Sequence, residues 1–384
     1  MRRVTRYCPI CSAFNAEHFF ENTLAVIGGY DMSYTIGRCR SCGFFFAETL
    51  ADQETIKSYY QSVSKYDVAG EISGLDLLRI DAAVSICQGQ VPYDAMVIDL
   101  GCGYGALLSR LKSAGWIDLY GIDPAPNSAM LAHDLFGLDN IFCGTTAEAH
   151  NVLPLENADL VCMTAVLEHL PDLRADISNL LEKIRPGCRL LVEVPALECF
   201  SGKKSEPFGE FSLEHLQFFS STSLINFFSS LGAKPLAMEI VDLPVVASGS
   251  LFGLFEFTGD VPASFETIPE SSEVMENYIS ESKHRLGQAL SRIPEKPLLI
   301  YGAGSHTARL LPHLEKMHGR EVAAVVDRNH NLVNKSIGKW VIQAPSEIAS
   351  FPDTHILVSS FRSQNEIAKS LQDRFPNPVV LLYS

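Results

Sequence analysis

Apolar and polar positions alternate with different periods along the 384-residue chain, and the changes of period divide it. From Met96 to about Val194, short apolar runs alternate with stretches whose apolar residues recur at helical spacing, the pattern of an open α/β sheet. The first run, Val97-Ile-Asp-Leu, breaks into Gly101, Gly103 and Gly105, and a helix is predicted over Ala106 to Ala114. The next predicted strand, Leu119 to Asp123, ends in an acid. Ala196 to Glu210 is loop-like, with Gly202, Lys203, Lys204 and Pro207. Ser221 to Leu231 reads as a helix with Leu224, Phe228 and Leu231 on one face and Gly232 as its stop.

The flanks read differently. Met1 to Glu48 is rich in aromatics and holds two cysteine pairs, and Asp52 to Gln88 is helical and tyrosine-rich. Gly259 to Glu273, rich in Pro, Ser and Glu, is a predicted linker, and a polar helix over Val274 to Ile293 bridges to the last part. There the strand–glycine–helix theme returns at Pro297-Leu-Leu-Ile-Tyr-Gly-Ala-Gly, followed by a strand ending at Asp327 and another from His355 to Ser359. The fold class predicted is α/β, in parts 1–50, 51–258, 259–296 (linker and bridging helix) and 297–384.

Composition narrows the function. The chain is 47% hydrophobic and 20% charged, which suits real cores and not general disorder. A net charge of -15 speaks against nucleic acid as a partner, because phosphate backbones select basic surfaces. The basic start, MRRVTRYCPICS, has no apolar segment behind it, so no secretory signal is read. The most apolar stretch, around Leu243 to Phe257, is broken by Pro244, Ser248, Gly249, Ser250, Gly253 and Glu256, and falls short of the roughly 18 apolar residues of a membrane span. The expectation is a cytoplasmic protein with no membrane partner. Ten cysteines in such a chain read as metal ligands or buried thiols, not disulfides.

Cys8-Pro-Ile-Cys11 and Cys39-Arg-Ser-Cys42 carry the clearest metal signal. Each C-x2-C pair puts two sulfurs on a tight knuckle, and two knuckles complete a tetrahedral site for a structural Zn²⁺. Gly43 permits the turn after the second pair. With no further ligand or nearby acid at that spacing, the ion is expected to fold residues 1–50 into a zinc-binding module, a segment too short to bury much alone.

Val97-Ile-Asp-Leu-Gly-Cys-Gly-Tyr-Gly105 is the sharpest motif. Glycines let the backbone turn and approach a ligand closely. Asp99 precedes them, and Asp123 ends the next strand, where an acid can accept hydrogen bonds from ribose hydroxyls. Acid-x-Gly-x-Gly-x-Gly followed by Gly-x-Asp resembles the class I S-adenosylmethionine-dependent methyltransferases over about Asp94 to Val194, including Cys143-Gly-Thr-Thr-Ala-Glu148 and Asp159 to His169. The resemblance implies a Rossmann-like central domain. It puts Gly101 and Gly103 against the methionine part of the cofactor, Asp99 near its amino group, Asp123 on its ribose, and Ala147 or Glu148 near adenine.

Two histidines have site-like context. His169 follows Leu167-Glu168 at the exit of the fourth predicted strand, the edge at which open α/β sheets bind ligands. Glu214-His215 follows the Ser201–Gly209 loop, and a Glu–His pair can supply a base near neutral pH. The layout resembles sugar C-methyltransferases of nucleotide-linked 4-keto-deoxysugars, which join a zinc module, a methyltransferase domain and a C-terminal Rossmann-like domain. The pieces that carry it are the four cysteines, Asp99–Gly105, Leu167-Glu-His169, Glu214-His215 with Phe219-Ser220, and Tyr301-Gly-Ala-Gly304. The resemblance implies His215 as base, with Glu214 and His169 beside it. Ser212 stands where that family has a tyrosine, and a second family tyrosine corresponds to Tyr60 or Tyr66. An O- or N-methyltransferase on the same scaffold, a non-catalytic cofactor-binding protein and an RNA methyltransferase are the alternatives. In the last part, Gly302, Gly304 and Asp327 suit either a nucleotide-sugar diphosphate or a purely structural domain, since the third glycine of the dinucleotide fingerprint is replaced by Thr307.

Overall fold

The computed structural model describes residues 3–383 apart from 53, 57, 60–71, 203–204, 244–248 and 262–270. Tyr60, Tyr66, Lys203, Lys204 and most of the predicted linker therefore lie outside the described residues. Four strands, β1 (Arg3–Thr5), β2 (Ala16–Asn22), β3 (Tyr34–Cys39) and β4 (Phe45–Ala51), form an antiparallel sheet in the order β1-β4-β3-β2. The two cysteine turns flank β2 and β3 and are built alike. Ser12 N–H donates to Cys8 O and Gly43 N–H donates to Cys39 O, each at 2.8 Å. Ser12 and Gly43 both adopt left-handed backbone, with φ of 59° and 81°.

Helix α1 (Gly74–Cys87), capped by Ser73, leads into a parallel set of strands: β5 (Met96–Leu100), β6 (Asp118–Asp123), β7 (Ile141–Cys143), β8 (Leu160–Thr164) and β9 (Arg189–Pro195). Helices α2 (Ala106–Ala114), α3 (Ser128–Phe136) and α4 (Leu173–Leu181) are the crossovers, with apolar faces on the sheet. A two-residue strand, β10 (Gln217–Phe218), leaves this sheet and pairs with β4 of the N-terminal one. After α5 (Ser221–Ser229) come β11 (Ala233–Val241) and β12 (Ser250–Phe257). β12 inserts antiparallel between β9 and β11, so the seven-stranded order is β11-β12-β9-β8-β5-β6-β7. The sequence pattern had not marked β11 or β12 as strands. β12 is covered on both faces over Ser250–Phe255, so its apolar residues run on instead of alternating.

Helix α6 (Ser271–Ser291) crosses to a third sheet. Its elements are β13 (Leu298–Tyr301), α7 (Ser305–Leu314), β14 (Val322–Val326), β15 (Ser336–Ile337), β16 (Trp340–Gln343), β17 (His355–Val358), α8 (Gln364–Gln372) and β18 (Val379–Leu381). The sheet order is β15-β16-β14-β13-β17-β18. One apolar cluster runs through all three sheets' surroundings: Tyr34 and Phe45 from the first, Phe208, Phe211 and Leu216 from the loop before β10, Met275 and Tyr278 from α6, and Leu310 and Leu311 from α7. No helix among the described residues is long and apolar enough to cross a membrane.

Candidate active site

The glycine loop after β5 is shaped by what it must avoid and what it binds. At Gly101, with φ +78°, a Cβ would stand 2.6 Å from Val166 Cγ2, so no larger residue fits. Gly103 N–H donates to Asp123 Oδ2 at 2.8 Å. The other oxygen of Asp123 accepts from Ala125 N at 2.9 Å and Ser128 Oγ at 3.2 Å, which fixes the acid at the mouth of β6. Asp99 lies deeper. It is 1% exposed, and its Oδ1 has no hydrogen-bond partner among the described residues. Burial, and secondarily the charge of Asp123, push its pKa up to about 7. Asp99 borders a cleft of about 240 Å³, which Gly101, Gly103, Thr164, Arg79 and Glu193 also line, and Asp123 stands behind it on the Gly103 N–H.

An orphaned, buried carboxylate oxygen in a ligand-sized cleft calls for a cationic donor. The α-ammonium of a methionine moiety is such a donor, and the site therefore fits that part of S-adenosylmethionine on its own chemistry. Ala147 and Glu148 sit in a short turn next to Asp123, joined through Gly144 N–H to Asp123 O at 3.0 Å. They are not among the cleft-lining residues, and the Glu148 carboxylate caps its own turn through Thr145 N and Oγ1, both at 2.8 Å.

On the other side of β8 the structure brings Glu168, His169 and His215 together. One side-chain N or O of each lies within 4.8 Å of the others, and the two imidazoles meet edge-on at 5.1 Å between centroids. The turn after β8 and the strand β10 are stitched by Leu216 N–H to Glu168 O at 2.6 Å and Gln217 Nε2 to Leu170 O at 2.9 Å. Nδ1 of His169 faces Glu214 O at 3.1 Å, and Nδ1 of His215 faces Glu210 O at 3.2 Å. Carbonyls only accept, so each Nδ1 carries its proton and Nε2 is the basic nitrogen of the neutral ring.

The expected carboxylate–imidazole pairing of Glu214 with His215 takes a different form. Ser212 Oγ accepts from both Glu214 N and His215 N, and this turn aims the His215 Nδ1 back at Glu210. The carboxylate near an imidazole is Glu168, with Oε1 3.8 Å from His169 Nε2. Glu168 is 2% exposed, and burial, then Glu193, push its pKa up to about 8. Glu193 is itself buried and paired with Arg79, whose Nε lies 3.0 Å from Glu193 Oε1.

The sequence reading gave no role to Glu168, Glu193 or Arg79. Glu193 had left a signal, as the only charge in the apolar run Leu190–Val194. Arg79 left none, since its place is decided by how α1 packs.

The four cysteines form a second cluster, with Cys8 and Cys42 sulfurs 3.6 Å apart and Cys11 and Cys39 sulfurs 3.5 Å apart. Tetrahedral bonds of about 2.3 Å to zinc set sulfurs about 3.8 Å apart, so the donor set fits that ion. Arg174 of α4 donates to Pro9 O at 2.7 Å, to Ile10 O and to Ser230 Oγ at 2.7 Å, tying the first knuckle to the central sheet.

Part of this chain is similar to known methyltransferases. Residues 80–237 match the family described as Methyltransferase domain. A ubiquinone biosynthesis O-methyltransferase from Aliivibrio fischeri is 29% identical over 143 residues, 35% of this chain and 60% of the relative. A tRNA U34 carboxymethyltransferase from Cellvibrio japonicus is 27% identical over 164 residues, 39% of this chain and 48% of the relative. The chain thus spans about half to 60% of the length of these curated relatives. Among solved structures, the 1,6-didemethyltoxoflavin-N1-methyltransferase of Burkholderia thailandensis, with 1,6-didemethyltoxoflavin and S-adenosylhomocysteine bound, is 18% identical with a TM-score of 0.42, over 59% of this chain and 96% of that one. Residues 80–237, which match that description, carry most of the seven-stranded α/β sheet.

Proposed function

We propose that the chain is an S-adenosylmethionine-dependent methyltransferase acting on a small molecule, a nucleotide-linked 4-keto-deoxysugar methylated at carbon, with His215 as general base. The observation that carries the reading is that two chemistries share one sheet edge. Glu193 lines the cleft that Asp99 borders and also raises the pKa of Glu168 beside the two histidines. In this reading Asp99, Gly101, Gly103 and Asp123 hold the cofactor, and Ala147 or Glu148 borders its adenine. S-adenosylmethionine, when bound, supplies an electrophilic methyl group on a sulfonium.

His215, with Nδ1 anchored on a carbonyl, takes the proton from the carbon next to the ketone at Nε2. Glu168, kept neutral near pH 7 by burial, donates toward the substrate oxygen on which charge develops, and His169 joins it from Nε2 when its ring is doubly protonated. Glu214 supports His169 through its carbonyl. Cys8, Cys11, Cys39 and Cys42 hold a structural zinc. The organisation read is a zinc module (1–50), the methyltransferase domain (51–258), a linker with bridging helix (259–296) and a second Rossmann-like domain (297–384). Ten cysteines that read as metal ligands or buried thiols support a reducing compartment, hence the cytoplasm. The net charge of -15 supports a small molecule over RNA.

A second reading, transfer to a hydroxyl oxygen, is favoured by the O-methyltransferase activity named for a curated relative; His215 then takes a hydroxyl proton. The test uses deuterium oxide. With a nucleotide-linked 4-keto-deoxysugar and no cofactor, the base alone exchanges the adjacent C–H for deuterium, read by mass spectrometry. Adding the cofactor releases S-adenosylhomocysteine. His215→Asn is expected to slow both by about 10²–10⁴. Turnover on hydroxylated acceptors without exchange on any keto-sugar moves the reading to oxygen. Cofactor binding with no turnover on either class reduces the chain to a scaffold.

A further inference from the structure

The imidazole of His215 points where the Glu210 carbonyl lets it point, since that carbonyl holds Nδ1 at 3.2 Å. Glu210 belongs to the stretch 205–216, which is neither helix nor strand. Backbone groups in such a stretch find partners in turns and side chains, not in a helix or sheet ladder. Phe208 adds strain, with a left-handed φ of 55° in a residue that carries a Cβ. Something must therefore hold this loop in the one conformation that serves His215.

The groups that hold it around Glu210 come from outside the central sheet. Tyr278 Oη and Ser282 Oγ of α6 accept from Glu210 N at 2.9 Å and Phe208 N at 3.0 Å. Arg309 of α7, 6% exposed, reaches across from the C-terminal sheet. Its Nη2 donates to Phe211 O at 2.6 Å, and its Nη1 donates to Glu206 Oε1 at 3.2 Å and Pro207 O at 3.5 Å. One guanidinium thus grips the loop at both ends, with Glu210 between them. A planar fork can do this; a lysine, with one nitrogen, cannot.

The glycine loop at the head of α7, by contrast, is closed on its own side chains. Ala303 N–H donates to Asp327 Oδ2 at 2.6 Å and Thr307 Oγ1 to Gly302 O at 2.6 Å. A Cβ at Gly302 would stand 2.9 Å from Ser359 O. What this domain offers the active site is Arg309.

We propose that Arg309 is a positioning residue for His215: by clamping Glu206, Pro207 and Phe211 it fixes the Glu210 carbonyl that orients the imidazole. The inference rests on His215 being the proton acceptor. Among the described residues, the charged and titratable groups beside that imidazole include Glu168 and His169 from the turn after β8, and Glu210 and Glu214 from its own loop.

Arg309→Lys keeps the charge and removes the fork. Misplacement of a catalytic group by about 1 Å costs up to roughly 100-fold. Arg309→Lys is therefore expected to lower kcat by about 10- to 100-fold and to move the acid limb of the pH–rate profile. S-adenosylhomocysteine affinity by calorimetry should stay within about twofold, since no Arg309 contact reaches the Asp99 cleft. Arg309→Ala should recover part of the lost rate with added guanidinium ion. Wild-type kcat and pH profile in Arg309→Lys overturn the proposal. So does a parallel fall of kcat, cofactor affinity and melting temperature, which marks a structural role only. His215→Asn is run beside it: full activity there removes the base and this inference together, whereas an inactive His215→Asn with an unaffected Arg309→Lys removes this inference alone.

Discussion

Asp99 is where burial and chemistry oppose each other most directly. Its unperturbed pKa of 3.8 rises to about 7 because the fold strips it of water and sets Asp123 nearby, while Oδ1 has no partner among the described residues. An acid whose folded pKa exceeds its unfolded one is held protonated by the fold. The native state then binds more protons than the unfolded one between about pH 4 and pH 7, and stability falls as pH rises through that window. A bound ammonium reverses the preference, since it favours the carboxylate. S-adenosylhomocysteine affinity is therefore expected to strengthen from pH 6 to pH 8, by about tenfold in total, as the proton no longer has to be displaced. Asp99→Asn should lose that pH dependence and weaken binding by about 1.5–3 kcal/mol, the worth of a charge-assisted hydrogen bond. Calorimetry across this range decides it, and an affinity independent of pH in the wild-type chain would place the amino group elsewhere. Asp99 and Asp123 could be named from sequence because they stand at fixed offsets from glycines on one strand pair. Glu168 stood in a quoted motif without a role, because nothing in Leu-Glu-His says which of its side chains the fold will desolvate.

The elements divide in the same way. Strands β5 to β9 and their helices were legible because each crossover changes the apolar period from strand to helix. β10, β11 and β12 were not, since β10 is two residues long and β12 is a core strand whose pattern has no polar face. The cysteine knuckles were legible because their spacing is covalent arithmetic. Their consequence can be tested at the same scale. The N-terminal sheet packs its cysteines into an apolar cluster with Phe44, Phe46, Leu173 and Phe227, so the knuckles are part of the seam with α4 and α5. Cys39→Ser removes one of four thiolates. Plasma mass spectrometry is expected to find one zinc per wild-type chain and much less in Cys39→Ser, with a lower melting temperature from the lost metal linkage. A wild-type chain without zinc, or a Cys39→Ser chain that binds it normally, would leave the four cysteines as ordinary core thiols.

At the scale of the whole molecule, the sequence reading separated an N-terminal module from two α/β parts, but nothing in it showed how the three sheets meet. No periodicity along the chain says that Phe211 meets Tyr278, or that Arg309 meets Phe211 across 98 positions. These contacts decide how the chain unfolds. One continuous apolar cluster takes residues from the N-terminal sheet, the 205–216 loop, α6 and the C-terminal α7, and the buried Arg309 with its half-buried partner Glu206 lies at the same seam. Separating the C-terminal part would expose that cluster and strand a buried guanidinium, a cost several times what an exposed domain contact carries. Differential scanning calorimetry of the full chain is therefore expected to give one cooperative transition, with calorimetric and van't Hoff enthalpies in agreement. S-adenosylhomocysteine, bound only in the central domain, should then raise the melting temperature of the entire chain. Circular dichroism and tryptophan fluorescence offer a check, because Trp116 is buried in the central domain and Trp340 stands on β16 in the C-terminal one. If Trp340 loses its native environment at a temperature well below Trp116, and the cofactor product moves only the second event, the parts are independent. The C-terminal domain would then have no mechanical route by which Arg309 could hold the active-site loop.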